Sequence, residues 1–155
     1  MITIIQRVLK AEVTVEGKTV GSIGHGLLAL VGMDREDAME DVLFTARKLT
    51  ELRIFTDESG KFNHSVLDVG GALLLVSQFT LLGDTRKGRR PSFSQAAQPE
   101  TARVHFDELV SLVSRELPVA TGIFGAHMEV ALINDGPVTM ILDSTLTRRG
   151  NPRRS

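Results

Sequence analysis

Three polar residues interrupt the apolar stretch ALLLVSQFTLL at 72–82: Ser77, Gln78 and Thr80. A buried polar group without a hydrogen bond costs on the order of 1–3 kcal/mol, so three within four positions call for a reason. In a regular strand Ser77 and Phe79 face one side and Gln78 and Thr80 the other, so Ser77 and Thr80 share a pocket only if the strand bends or ends there. A hydroxyl here could attack an ester carbonyl if a base took its proton. The chain has four histidines, His25, His64, His105 and His127, none in a triad motif, and no G-x-S-x-G elbow. His25 lies between two glycines, His105 is expected on a helix surface beside a buried Phe106, and His127 precedes a strand. The histidines and acids show no H-E-x-x-H or similar spacing, and cysteine is absent, so no metal and no cofactor is expected. A hydrolase built this way must rely on backbone dipoles and on groups of its substrate.

A second stretch, NDGPVT at 134–139, raises a different question. Asp-Gly between apolar runs signals a hairpin turn. Yet Pro137 cannot donate to a strand ladder. Turn chemistry alone leaves this an awkward hairpin. The glycines at 21, 24, 26 and 32 match neither phosphate-binding fingerprint and sit in a β-rich segment.

The charge is unevenly placed. Residues 1–147 hold 14 Lys and Arg against 19 Asp and Glu, while the last eight residues add four arginines. A second basic cluster, Arg86, Lys87, Arg89 and Arg90, lies in a Gly/Pro/Ser-containing stretch. Two basic patches on an otherwise acidic chain suit either a polyanion contacted at specific places or two solvated loops.

The positioning elements follow from periodicity. The 155 residues, 42% hydrophobic and 24% charged, fit one globular domain, residues 1–144, followed by a basic tail, 145–155, expected to lack structure. No apolar run is long enough for a membrane span, and the N-terminus shows no secretory signal. ITIIQRV, AEVTVEG, TVGSI and LLALVGM read as strands with a turn at 16–18. Asp34 can cap a helix over about 35–53, with Met39, Val42, Leu43, Ala46 and Leu49 on its buried face. RIFTDESGKF reads as a short strand and turn, 72–82 as a mid-sheet strand buried on both faces, and 83–99 as a polar loop. Pro99 starts a second helix, with Ala102, Phe106, Leu109, Val110 and Val113 on its buried stripe; it runs to Leu117 and Pro118 stops it. MEVALIND and PVTMILDS supply two further strands. The expected fold is mixed α/β: a mainly antiparallel, barrel-like sheet with two covering helices.

Taken together, SQFTL at 77–81 and NDGPVT at 134–139 closely resemble the D-aminoacyl-tRNA deacylase (D-tyrosyl-tRNA deacylase) family. IQRV at 5–8, VEGK at 15–18, RIF at 53–55, RPSFS at 90–94 and TGIFGAHMEV at 121–130 extend the likeness in order to about Ser144. The resemblance implies a cytoplasmic homodimer that hydrolyses the ester joining a D-amino acid, or glycine, to the 3′ end of tRNA, with no membrane or DNA partner. It implies that Ser77, Gln78, Phe79 and Thr80 line the aminoacyl pocket, with Phe93, Phe124 and Met128 as further substrate contacts. It also implies that Asn134, Gly136 and Pro137 form a Gly-cis-Pro element that enters the partner subunit's pocket and excludes L-amino acids, braced by Arg7. Either Thr80 is the nucleophile, or the 2′-OH of the terminal adenosine assists while backbone N–H groups near Phe79 and Thr80 hold the oxyanion; the missing triad favours the second. Three rivals remain at this stage. One is an RNA-binding module without chemistry, for which seven Phe and no Trp or Tyr make a poor stacking platform. The others are a general ester hydrolase and an editing enzyme of altered chirality. The chain departs from the family pattern in its end, TLTRRGNPRRS after ILDS.

Overall fold

The computed structural model describes residues 1–148. Strand β1, Ile2–Val15, is one 14-residue strand where two were expected. A two-residue turn with both φ angles positive, Glu16 at 49° and Gly17 at 75°, joins it to β2, Lys18–Ile23. Such a turn matches the right-handed twist of a tight hairpin. β3, Gly26–Gly32, runs antiparallel to the first half of β1, and β6, Ala72–Ser77, lies parallel to β3. β7, Val119–Thr121, which the sequence reading did not identify, adds in parallel beside β6. The sheet order is β2-β1-β3-β6-β7, with β8, Glu129–Asp143, on the other edge of β1. The sheet curls almost into a barrel. At Gly21 of β2 an added Cβ would lie 2.3 Å from the Thr121 carbonyl oxygen of β7, so the two ends of the sheet meet backbone to backbone.

Alternation along the strands divides the core in two. Leu27, Ala29, Val31, Leu73 and Leu75 face the helices. Leu28, Leu74 and Val76 face the barrel interior, with Val8, Ala11 and Val13. Burial on both faces explains the unbroken apolar reading of β3 and β6. Helix α1, Met39–Glu51, and helix α2, Pro99–Val113, pack on each other and cover the first set. Among the described residues no helix is long and apolar enough to cross a membrane.

Several expectations need correction. Asp34 does not cap α1; its carboxylate accepts the Glu36 N–H at 2.9 Å in a preceding turn, and the helix starts at Met39, where Asp41 reaches back to the Ala38 N–H at 2.8 Å. The buried face of α1 centres on Val42, Ala46 and Leu49, which leaves Met39 and Leu43 exposed. α2 ends four residues before Leu117, Val110 is only partly buried, and His105 is half-buried rather than on the surface. The short strand and turn at 53–62 form a two-stranded hairpin, β4 (Phe55–Thr56) with β5 (Phe62–His64). Thr145–Arg148 form one helical turn, α3, where a tail without structure was expected; residues 149–155 lie outside the described residues.

The two strands expected on either side of NDGPVT are one strand, so the segment is a bulge and not a hairpin turn. Between the pairs Gln6↔Thr139 and Val8↔Asn134, β8 has four residues, 135–138, facing one on β1. The extra residues leave the ladder and project from it.

Gly32 lets the segment after β6 fold back on β3. A Cβ there would sit 2.5 Å from Leu82 Cδ2 and 3.0 Å from the Gln78 carbonyl oxygen. Gly32→Ala is expected to destabilise the protein by about 1–3 kcal/mol through overpacking. Urea denaturation measures the loss, and amide shifts at 78–82 should report a displaced turn.

Candidate active site

The expected strand over 72–82 stops at Ser77. Gln78 makes a last ladder bond, its N–H to the Val31 carbonyl at 2.8 Å, and residues Phe79–Leu82 then form a 3-10 turn. Buried Leu82 anchors that turn over Gly32. The break removes the parity constraint on 77–80, so Ser77, Gln78 and Phe79 line the same cavity. Within the turn, Leu81 N–H donates to the Gln78 carbonyl at 3.2 Å and Gly83 N–H to the Thr80 carbonyl at 3.0 Å. The Phe79 and Thr80 N–H groups therefore precede its first bond.

The cavity measures about 530 Å³ and is walled mainly by apolar groups. Ser77 and Gln78 come from the strand end, Phe93 from the loop after the turn, and Phe124 and Met128 from the segment leading into β8. Phe79 packs edge-to-face on Phe93, centroids 5.0 Å apart. Gly122 admits Met128, whose Sδ would lie 2.4 Å from a Cβ at that position. The sequence reading missed Gln98 and His127 as lining residues, although GAHMEV and the helix start at Pro99 mark both neighbourhoods. Thr80 is exposed and does not line the cavity. Its hydroxyl accepts a hydrogen bond from the Gln78 side-chain amide. Among the described residues no carboxylate or imidazole hydrogen-bonds to that hydroxyl, and an amide N–H donor cannot take a proton from it. No group of three or more His, Asp or Glu that could hold a metal occurs among the described residues. A cleft of about 560 Å³ beside Asp34, Asp37 and Asp143 also takes in Thr145, whose hydroxyl donates to the Asp143 carboxylate at 2.7 Å; it holds none of the residues expected at the site, and Asp37 there holds the Met1 ammonium.

The remaining expected site residues gather elsewhere, on the bulge of β8. The Asn134 side chain closes its neck, accepting the Val138 N–H at 2.7 Å and donating to the Val138 carbonyl, Gln6 Oε1 and Thr139 Oγ1, each at 3.1 Å. Arg7 is buried on β1 and holds the bulge from below. Its Nε donates to the Asp135 carbonyl at 3.0 Å and lies 3.2 Å from the Asp135 carboxylate; its Nη1 donates to the Ile54 carbonyl at 2.7 Å. Phe55 and Phe62 of the β4–β5 hairpin present their rings to the guanidinium, at 5.8 and 5.7 Å. Gly136 has φ of +147°, and a Cβ there would meet the Val138 nitrogen at 2.6 Å, so only glycine fits. The Gly136–Pro137 bond is cis, and both residues are exposed, outside the cavity wall of their own chain.

The sequence profile of the D-Tyr-tRNA(Tyr) deacylase family matches residues 4–143. A D-aminoacyl-tRNA deacylase of Chloroflexus aurantiacus is 58% identical over all of this chain and 96% of its own length. One of Thermosipho africanus is 56% identical over 93% of this chain and 97% of its own. Among solved structures, the c-Myc DNA Unwinding Element Binding Protein superposes with a TM-score of 0.87 at 38% identity, covering 92% of this chain and 98% of its own.

Arg7→Met should leave the Ile54 carbonyl and the bulge without their donor, at a cost of about 2–3 kcal/mol. Arg7→Lys is expected to recover only part of that loss, because an ammonium lacks the planar fork that reaches both acceptors. Chemical denaturation of the two variants, with amide exchange at Val138, checks both outcomes.

Proposed function

The chain belongs to the D-Tyr-tRNA(Tyr) deacylase family, and from that premise we propose that it is a proofreading ester hydrolase with a main-chain active site. As a family member it is a D-aminoacyl-tRNA deacylase, with aminoacyl-tRNA as its substrate. The observation that supports the finer reading is the strand break after Ser77: the Phe79 and Thr80 N–H groups precede the first bond of a 3-10 turn whose Phe79 lines an apolar cavity, and the Thr80 hydroxyl is bonded by an amide and not by a base.

In the proposed reaction the aminoacyl end of the tRNA enters the cavity bounded by Ser77, Gln78, Phe93, Phe124 and Met128. Water adds to the ester carbonyl, and the oxyanion is held by the N–H groups of Phe79 and Thr80. Such preorganised donors supply much of the stabilisation in acyl transfer. The vicinal 2′-OH of the terminal adenosine assists proton transfer, and the 3′ oxygen leaves carrying a proton, giving free amino acid and tRNA. The Thr80 hydroxyl orients the Gln78 amide and does not attack.

The chirality filter is the bulge of a second copy of the chain. Gly136 and Pro137 are exposed, lie outside their own cavity and are held rigidly by Asn134 and Arg7. Leu9, Ile133 and Ile141 expose apolar surface on β1 and β8, which suits a homodimer. Main-chain atoms placed against the substituents on Cα reject one hand by clash while tolerating varied side chains. Glycine has no side chain to clash, so glycyl-tRNA, including glycine mischarged on tRNA-Ala, is within the proposed range. The reading places the protein in the cytoplasm, in translation quality control, with tRNA as its nucleic-acid partner and neither DNA nor membrane.

Purified protein should deacylate D-tyrosyl-tRNA far faster than L-tyrosyl-tRNA in paired time courses; equal rates would remove the chiral filter from the proposal. Thr80→Ala should keep substantial activity, and substrate ending in 2′-deoxyadenosine should be hydrolysed poorly. Unimpaired hydrolysis of the deoxy substrate would eliminate the role of the 2′-OH.

A further inference from the structure

Between the 3-10 turn and α2 the chain extends an arm whose root is fixed and whose tip is free. Asp84 and Ser92 exchange two backbone bonds, 2.8 and 2.9 Å, and close it. Residues 85–91 beyond them are all exposed, with Gly88 at φ +72°. Phe93 roots the arm at the cavity. Its ring packs on Phe79, a Cβ at Gly83 would lie 3.0 Å from it, and it forms part of the cavity wall. The return limb is tied to the end of β3, Arg35 N–H to the Gln95 carbonyl and Ala97 N–H to the Met33 carbonyl, both 2.9 Å. The arm's charges are therefore tethered to a root that forms part of the cavity wall.

Those charges fall into two kinds. Arg86 is used inside the arm: its Nε and Nη2 grip the Asp84 carboxylate at 2.9 and 2.7 Å, and its backbone N–H adds a third bond at 3.0 Å. Arg86 holds the Asp84 carboxyl at about 2, below its ordinary 3.8. A lowered value means the pairing is fully present above the ordinary carboxylate range and is lost only as pH falls towards 2, so the arm is braced at neutral pH. Among the described residues no carboxylate pairs with Lys87, Arg89 or Arg90. Three unpaired cations on an exposed tip, 85–91, without an aromatic residue suit a sugar-phosphate backbone and offer no platform for bases.

We propose that this arm binds phosphates of the substrate's own RNA near its 3′ end, with Lys87, Arg89 and Arg90 making the contacts and Arg86 serving as the brace. The inference rests on the reading that the aminoacyl end occupies the adjacent cavity. Phosphate contacts set affinity and register without reading sequence, which fits an enzyme that must accept many tRNAs.

The test is the salt dependence of KM for D-tyrosyl-tRNA in the wild type and in the triple variant Lys87→Gln, Arg89→Gln, Arg90→Gln. Each lost contact to single-stranded RNA lowers the log–log slope by about 0.7, so the variant's slope should fall by about two, with KM raised at low salt and kcat unchanged. D-tyrosyl-adenosine, which lacks the phosphates, should be hydrolysed equally by both proteins. An unchanged slope overturns the proposal, and so does an equal loss of activity on D-tyrosyl-adenosine, which would place the arm's action in the cavity. Binding of uncharged tRNA by the same two proteins yields the slope without turnover, so the arm is still tested if the deacylase reading fails.

Discussion

Both backbone edges of β1 are hydrogen-bonded along nearly its whole length, and this double ladder sets the place of every part of the site. On one edge its first half pairs with β3 and its second half with β2; on the other it pairs with β8 from end to end. Because side chains alternate with period two, a slip of one residue would turn the core positions of β8 outward and exchange the two buried faces of β3. β3 then fixes β6 in parallel, and the end of β6 determines where the 3-10 turn begins. β8 receives its register from the same strand, and the four residues left facing one on β1 become the bulge.

The two halves of the candidate site are rigid for different reasons. The cavity half is held by packing: Leu82 over Gly32, Phe79 on Phe93, Met128 against Gly122. Its polar side chains are few: Ser77 and Gln78 at a strand end, where the ladder stops using backbone donors, with Gln98 and His127 from converging loops. The bulge half is held by hydrogen bonds to two side chains, Asn134 at the neck and Arg7 beneath. A guanidinium suits the second task, since its planar fork reaches two carbonyls while its faces meet the rings of Phe55 and Phe62. Gly136 and Pro137 lie outside the cavity wall of their own chain, which is why the proposed filter needs a second copy.

Charge is distributed on the same plan. The cavity wall carries no ionised carboxylate or guanidinium, and the cations stand outside it on an arm whose root is part of that wall. In the proposed reading a polyanionic substrate is met at the rim, while its ester end enters a low-dielectric space where backbone dipoles act most strongly.

By itself the sequence determined the fold class, the strand buried on both faces that begins at Ala72, most of both helices and the two strings that identify the family. These are written in local periodicity, turn chemistry and side-chain type. It also limited the chemistry: without cysteine, triad motif or metal spacing, a backbone site was the remaining option for hydrolysis. Where β6 stops was not legible, because the apolar pattern continues to Leu82; only the close approach that Gly32 permits to the turn turns an apparent strand into a 3-10 helix. NDGPVT read as a hairpin for a similar reason. Asp-Gly has the local signature of a turn, but the pairing of Gln6 with Thr139 and of Val8 with Asn134 keeps both flanks on one strand. His127 and Gln98 reach the cavity only because separate loops converge there, and the unequal roles of Arg86 and its basic neighbours depend on where Asp84 lies. Local order is encoded residue by residue, whereas the end of a ladder, the size of a bulge and the partner of a charge are decided by backbone brought in from a distance.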